Sequence, residues 1–322
     1  MPQITIVGLD TVGASLGLAL RKTEQPASIV GVERDPLMVR RAQQAGAVER
    51  VERWAEDACK NAALVIVTEP MSRLHDILEA IAGKLPQGCV VTSTAPLIAP
   101  ALAWADALLP GGVSFVVGHP ILDPTQPDDT ISPELFHQAQ YCIVPSVKAT
   151  PSAMDLVTQL AVSVGARPFF LDAAEHDGLV TAVEHLPGLL SVALMSAAAN
   201  ASSWRDMRRV AGASFAQATS GAEADPQEVA AMWRANRDNV ARWIEMYCAK
   251  LGDVRAALLS DDEGVLTRLL TDAGEARALW LKDRQSGNWE GAAPLPPKVG
   301  MGTMLSRMVW PQRRSPEDKP QR

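Results

Sequence analysis

Cysteine is scarce in this chain. Cys59, Cys89, Cys142 and Cys248 are scattered and form no Cys-x-x-Cys pair. That excludes a disulfide framework or a thiolate metal knot, and fits reduced, mostly buried thiols of a cytoplasmic protein. The five histidines show no metal spacing, so no metal site is expected. Positive charge is in deficit: 30 Lys and Arg stand against 37 Asp and Glu, a net charge of −7. This gives no support to nucleic acid or a membrane surface as a partner. The longest apolar stretch, Leu186 to Ala199, is too short to span a bilayer and contains Ser and Gly. No signal peptide is expected, because the chain goes straight into a strand-like run. What remains is globular. Hydrophobic residues make up 47% and charged residues 21% of 322, enough chain for two domains with sizeable cores.

The first 35 residues are the most informative. Ile4-Thr5-Ile6-Val7 is an apolar β-branched run that ends at Gly8, and Val12 to Arg21 reads as a helix with small residues on one side. Strand, tight turn and helix in this order open a dinucleotide-binding unit. The Gly-x-Gly-x-x-Gly spacing reads Gly8-Leu9-Asp10-Thr11-Val12-Gly13. Gly8 serves the turn and Gly13 lets the helix pack close to the strand, while the middle position lets the backbone approach the pyrophosphate. Asp10 therefore keeps the fold signal and weakens the ligand signal. A carboxylate about 4 Å from a phosphate repels it by roughly 1 kcal/mol in water, and by about 4 kcal/mol at an effective dielectric near 20. A second strand-like run, Ser28 to Val32, leads to Glu33, twenty residues past Gly13, where an acid would take the ribose hydroxyls. Arg34 follows and suits a 2′-phosphate instead, so NAD and NADP both stay open. The candidate cofactor-binding residues are Gly8, Asp10, Val12, Gly13, Glu33 and Arg34. For Glu33 and Arg34 the competing reading is ordinary loop charge.

Strand-like and helix-like runs alternate through the first half. Asp35 caps a helix from Pro36 to Ala45, and Ala63 to Thr68 is a continuous apolar strand of the buried parallel kind. A helix from Met71 to Ala82, a strand from Cys89 to Ser93 and a helix from Leu97 to Leu109 follow. Val113 to Val117 is a strand that ends at Gly118-His119-Pro120, and Leu122 to Ser132 is a Pro- and Asp-rich loop. Tyr141 to Pro145, Ser152 to Val164 and Arg167 to Leu171 complete the pattern as strand, helix and strand. The alternation predicts an α/β fold, a doubly wound Rossmann-like sheet with ligands at the carboxyl ends of its strands, where Glu33, Glu69, Ser93 and His119 fall. From Asp172 helical periodicity takes over, which predicts an all-helical second domain. Ala173 to Ala199 is very apolar, with Pro187 as its kink, and belongs in a core or a dimer interface. Pro226 to Leu251 and Asp262 to Lys282 are amphipathic helices. The expected domains are residues 1–171, 172–285 and a disordered tail over 286–322, rich in Pro, Gly, Lys and Arg. Within that tail Met301, Met304, Leu305, Met308, Val309 and Trp310 suit a short docking helix as the alternative.

Four further segments carry a resemblance when taken in order: Gly118-His119-Pro120, Ala174-Glu175-His176-Asp177, His185-Leu186-Pro187 and Trp204 to Ala211. With Leu135-Phe136, Ile143-Val144-Pro145 and Ala235-Asn236-Arg237, the chain from about residue 3 to 285 resembles the prephenate/arogenate dehydrogenase family of tyrosine biosynthesis. The resemblance implies an NAD- or NADP-dependent oxidative decarboxylation of a cyclohexadienyl acid. A hydride passes to the nicotinamide, a histidine takes the hydroxyl proton, and CO2 leaves as the ring becomes aromatic. It makes His119 that base, whose pKa class suits neutral pH. It makes Arg209, with Arg205 one turn before it, the anchor of a substrate carboxylate, and His185 a substrate contact. His176 is left as a polar residue at a helix start. The resemblance also implies a homodimer formed through the helical domain, with a small molecule as the only other partner.

The chain departs from that family in one region. Besides Asp10, Glu69 precedes Pro70, where a small or apolar residue is usual. Pro96 stands where the family has a serine that hydrogen-bonds the reacting hydroxyl, and proline offers no donor. Gly188 replaces a second histidine, and Ile121-Leu122-Asp123 replaces Met-Ala-Gly. Because Asp10, Glu69 and Pro96 all fall on ligand-facing strand ends, a non-catalytic or repurposed relative with a remodelled cofactor cleft stands beside the enzyme as the alternative.

Overall fold

The computed structural model describes residues 1–23, 27–123, 130–260, 263–287, 289, 300–302 and 304–305. The chain divides into two compact units, one of Met1–His176 with Leu295–Arg322, the other of Asp177–Pro294.

The first unit is built on one eight-stranded sheet. Its elements run β1 (Gln3–Val7), α1 (Thr11–Arg21), β2 (Ser28–Val32), α2 (Pro36–Gln44), β3 (Arg50–Glu52), α3 (Ala55–Ala58), β4 (Ala62–Val67), α4 (Met71–Ala82), β5 (Val90–Ser93), α5 (Ile98–Leu108), β6 (Ser114–Ile121), β7 (Gln140–Pro145), α6 (Pro151–Ser163) and β8 (Arg167–Phe170). The strand order is β3-β2-β1-β4-β5-β6-β7-β8. Every neighbouring pair is parallel except β6 with β7. β1 and β4 are buried along their whole length, as strands covered on both faces must be. The order reverses between β1 and β4, and the crevice at such a switch point is where this kind of sheet takes its ligand. The predicted α/β doubly wound sheet is therefore present.

Two features differ from the sequence reading. β3 and α3 are additional, short elements: Arg50-Val51-Glu52 has too few apolar residues to read as a strand, yet it pairs with β2. The strand expected to stop before Gly118 continues to Ile121, because antiparallel β7 extends its ladder with Gly118 opposite Ile143 and His119 opposite Cys142. A side chain at Gly118 would run into the Tyr141 ring, so only glycine lets the two strands continue side by side. His119 thus lies inside a strand rather than beyond its end.

The second unit is helical. After α7 (Ala173–Val180) the chain passes through a π-helical turn at Thr181–His185 into α8 (Leu186–Ala199). Then come α9 (Trp204–Val210), α10 (Ala213–Thr219), a 3-10 turn at Ser220–Glu223, α11 (Pro226–Ala235), α12 (Arg237–Leu258) and α13 (Glu263–Ser286). The bend expected at Pro187 appears as that π-helical turn just before it, which accommodates a residue unable to donate its backbone N–H. Asn236 holds the turn: its Nδ2 donates to Thr181 Oγ1 at 2.6 Å and to Asp177 O at 3.2 Å. The continuous helix Ala173–Ala199 is long and apolar enough, by length and composition alone, to pass for a membrane span, with a mean hydropathy of 1.5. It carries Glu175, Asp177 and Glu184, and Val183, Val192 and Leu194 stand exposed on it. Its apolar surface is thus not consumed by the core of a single chain.

In the stretch read as a disordered tail, Met301 and Leu305 are buried within the hydrophobic core of the first unit. Residues 301, 302, 304 and 305 are helical, which agrees with the docking-helix alternative at those positions. Met308, Val309, Trp310 and the charged terminus lie outside the described residues, as do residues 124–129 of the expected loop.

Candidate active site

The crevice is lined first by the glycine turn. β1 ends at Val7, and Gly8 turns the chain with φ +99°, a conformation an L side chain rarely adopts. The space is also taken, since a side chain at Gly8 would meet Thr68 Oγ1 at 2.7 Å. Thr68 Oγ1 donates to Gly8 O at 2.9 Å and Thr68 N donates to Val7 O at 2.8 Å, which ties the turn to the end of β4. A side chain at Gly13 would collide with the Gly8 carbonyl. Gly8 and Gly13 thus do what the spacing assigns them, and the first turn of α1, with half-buried Val12, packs close against the turn. This is a cradle of the right shape for a dinucleotide pyrophosphate.

Asp10 is the exception. It caps α1, and its Oδ1 accepts from Gly13 N at 2.8 Å. One of the free amides of the helix terminus is thereby already taken by the chain's own carboxylate. Burial pushes the Asp10 carboxyl upward from its ordinary value; the hydrogen bonds from Gly13 and Val12 oppose this, and the charge of Glu33 adds to it.

Glu33 is not a loose loop charge. Its Oε2 accepts from Leu9 N at 3.1 Å, and its Oε1 accepts from Arg34 N at 2.7 Å and Asp35 N at 2.9 Å. The carboxylate joins the end of β2 to the glycine turn, at the place where an acid meets the ribose of a dinucleotide. Across the crevice Glu69 pairs with Arg73 at 2.8 Å. Burial raises the Glu69 carboxyl, Arg73 lowers it, Glu33 and Asp10 raise it further, and Arg34 lowers it. Asp10, Glu33 and Glu69 therefore form one electrostatically coupled group around the switch point.

His119 is half-buried on β6, and its Nδ1 lies 3.0 Å from His176 Nε2. The rings meet edge-on, with centroids 5.2 Å apart at 76°. One ring donates and the other accepts, so the tautomers of the two rings are coupled. His176 lies near the start of α7, as read from the sequence, but it is 1% exposed and hydrogen-bonded to His119, a buried partner of that imidazole. The sequence reading missed this partnership. The only trace of it in the sequence is the Glu175-His176-Asp177 run that opens the helical part. Ser93 closes β5, and its Oγ accepts from Ala95 N at 3.1 Å, shaping the loop that leads past Pro96 into α5.

In the second unit His185 is 4% exposed at the end of the π-helical turn. Arg205 and Arg209 share one face of α9, four residues apart, and both are exposed. Burial raises the neighbouring Glu184 carboxyl, with Arg284 opposing. Each of these residues is placed within its own unit. Among the described residues, the only His/Cys/Asp/Glu group close enough to share an ion is His75, Asp76 and Glu79 on α4.

Comparison with known proteins agrees with this geometry. The family model for the prephenate dehydrogenase nucleotide-binding domain matches residues 16–169, and the one for the prephenate dehydrogenase dimerization domain matches residues 172–272. A prephenate dehydrogenase of Bacillus subtilis is 24% identical over 281 residues, covering 85% of this chain and 75% of its own. A cyclohexadienyl dehydrogenase of Zymomonas mobilis is 22% identical over 279 residues, covering 85% of this chain and 94% of its own. Among solved structures, prephenate dehydrogenase from A. aeolicus in complex with hydroxyphenyl propionate and NAD+ superposes with a TM-score of 0.76 at 22% identity, covering 86% of this chain and 98% of that one. Synechocystis arogenate dehydrogenase superposes with a TM-score of 0.71 at 22% identity, over 86% and 99%. Two consecutive domain models of one family, spanning most of the chain in the order that its sheet and helical units follow, show that the chain belongs to the prephenate dehydrogenase family.

Proposed function

We propose that this chain is an NAD(P)-dependent dehydrogenase that oxidatively decarboxylates prephenate, arogenate or a closely related cyclohexadienyl acid, in the route to tyrosine. The observation that carries the reading is the histidine pair. A chain matching both domains of the family keeps a half-buried imidazole at the expected strand and fixes it with a second, buried imidazole.

The dinucleotide, when bound in the cradle of Gly8 and Gly13, supplies the hydride acceptor. The other roles fall to the protein's own side chains. His119 accepts the proton of the substrate hydroxyl as the hydride leaves the carbon that bears it. The carbon–oxygen bond becomes a carbonyl, the ring carboxylate leaves as CO2, and its bonding electrons enter the ring to give a phenolate, which takes the proton back from His119 and closes the balance as a phenol. His176 is a positioning residue that keeps one nitrogen of His119 aimed at the substrate. Arg209 and Arg205 offer planar, permanently charged forks suited to the carboxylates of the substrate. His185 forms part of the substrate pocket wall. The matched dimerization domain and the exposed Val183, Val192, Leu194, Leu251, Leu270 and Leu279 support a homodimer through the helical unit.

The test is reduced-cofactor formation at 340 nm from prephenate and from arogenate, with NAD and with NADP, at micromolar protein. Turnover that falls by about 10²–10⁴-fold in His119→Ala supports the reading. No turnover in any of the four combinations, with dinucleotide bound, refutes it. The coupled carboxylates Asp10, Glu33 and Glu69, together with Pro96 in place of the hydroxyl donor, favour a second reading: a family relative that keeps the fold and the dimer and no longer turns over. Dinucleotide titration separates the two, because that reading predicts no binding up to millimolar concentration.

A further inference from the structure

Asn236 is the buried residue of the Ala235-Asn236-Arg237 segment, and the proposed function gives it no part. It ends α11 and opens α12. Asparagine is among the best caps for a helix start, because its side-chain oxygen takes a free backbone amide. Asn236 does not serve there, since its side chain makes no cap hydrogen bond to α12. Its amide is spent on another element. Nδ2 donates to Thr181 Oγ1 at 2.6 Å and to Asp177 O at 3.2 Å, and Oδ1 accepts from Asn239 Nδ2 at 2.8 Å. Thr181 Oγ1 in turn donates to Asp177 O at 2.6 Å. Two turns along α12, Trp243 Nε1 donates to Gly178 O at 3.1 Å. Side chains of α12 thus grip two successive carbonyls, those of Asp177 and Gly178, just ahead of the π-helical turn.

That turn decides where His185 lies. Thr181 opens it, His185 closes it, and Leu186 N donates to Thr181 O, five residues back. An α-helical turn closes over four residues, so this one holds a residue more. Each residue of an α-helix is about 100° of rotation, so side chains past the extra residue are turned by about that much relative to an uninterrupted helix. Single π-helical turns are rare and are found frequently at functional sites. Thr181 at the start of this one is 1% exposed, which leaves its hydroxyl no water to pair with in place of Asn236. The turn is held from outside at its first residue, and His185 is its last. The grip of α12 therefore sets the direction in which the His185 side chain leaves the helix.

We propose that Asn236, acting with Thr181, is a positioning residue for substrate binding: its amide clamps the π-helical turn and so fixes the direction in which His185 meets the substrate. The inference rests on the dehydrogenase reading above and adds to it residues that touch no substrate themselves. Without the clamp the turn relaxes toward regular α-helix, His185 rotates away and substrate affinity falls. The cradle of Gly8 and Gly13 belongs to the other unit and keeps its affinity for the dinucleotide.

The test measures kcat and KM with the better substrate of prephenate and arogenate, and dinucleotide Kd by calorimetry, in the full chain. Asn236→Ala and Thr181→Val should each raise KM by roughly 10- to 100-fold, the cost of a misplaced contact, with kcat changed less and the dinucleotide Kd within about two-fold of the parent. Thr181→Ser keeps the hydroxyl and should keep most of the substrate affinity. In a His185→Ala background, Asn236→Ala should add less than about two-fold to KM, because both changes remove the same contact. A KM that rises by the same factor in both backgrounds marks a merely structural role and overturns the proposal. So does an unchanged KM, and so does a loss of folding in both Asn236→Ala and Thr181→Val, which makes the clamp a stability element only. A parent that turns over while the variants match it removes this proposal and leaves the dehydrogenase reading standing. A parent that forms no reduced cofactor and binds no 4-hydroxyphenylpyruvate, the phenol that prephenate would leave, removes both.

Discussion

Replacing Asp10 by glycine should tighten dinucleotide binding, because the carboxylate occupies an amide that the pyrophosphate would use. Its Oδ1 sits 2.8 Å from Gly13 N, so a phosphate oxygen accepting from the same N–H comes within about 4 Å of it. Two unit charges at that distance repel by roughly 1 kcal/mol in water and about 4 kcal/mol at an effective dielectric near 20. Asp10 is open to solvent as a residue although its carboxyl is partly desolvated, which places the cost between the two limits and nearer the lower one. Removing the charge then gains about 1–2 kcal/mol, or roughly 5- to 30-fold in Kd. Loss of the cap subtracts little, since glycine at this position costs only a few tenths of a kcal/mol. Asn at position 10 keeps a capping oxygen and removes the charge, so Asp10→Asn and Asp10→Gly separate blockage from repulsion. If repulsion dominates, the two variants gain alike and the gain shrinks as salt rises. If blockage dominates, only Asp10→Gly gains, and salt matters less. The assay is calorimetric titration with NAD and NADP at low and high ionic strength. A Kd within two-fold of the parent in both variants would show that Gly13 N is not a phosphate contact and would refute the reasoning.

Dinucleotide binding should also take up protons. Asp10 and Glu69 have carboxyls raised above their ordinary values of 3.8 and 4.5, and an incoming dianion raises them further. Affinity should therefore improve as pH falls from 7 toward that raised range, with a proton uptake seen in buffers of different ionisation enthalpy and reduced in Glu69→Gln. By the same sign, these two groups make the fold less stable as pH rises through their raised pKa values, because the folded state binds more protons there than the unfolded one. His176→Gln should lower kcat by about ten-fold or more and displace the pH profile of kcat/KM while leaving dinucleotide affinity unchanged; a change in KM alone would count against a positioning role. Leu305→Ala should destabilise the first unit by about 2–5 kcal/mol in denaturant unfolding, as a fully buried leucine does, whereas a floppy tail would show no change.

The features legible in the sequence were those set by neighbours in the chain. Gly8 and Gly13 mark the turn because a side chain at either would strike atoms a few residues away or on the adjacent strand. Asp35 caps α2 through Leu37 N, a contact two residues long. The apolar runs at β1 and β4 announced strands covered on both faces. Short elements without such runs, β3 and α3, escaped. Asp10 reads from the sequence as a substitution at a ligand position, while its use as the cap of α1 shows only in the structure.

The order of elements, the change from alternating strands to helices near residue 172, and the residue types at the strand ends all follow from local patterns in the chain. Tertiary structure alone decided which of those residues meet. His119 and His176 are 57 positions apart and become hydrogen-bonded partners only through the sheet and the helix that follows it. Asp10, Glu33 and Glu69 share one electrostatic field because β1 sits between β2 and β4. Met301 joins a core that starts at Ile4, nearly the whole chain away. Local periodicity encodes which face of an element is apolar, and it carries no information about the distant surface that face will cover, since that pairing is set by the packing of the whole unit.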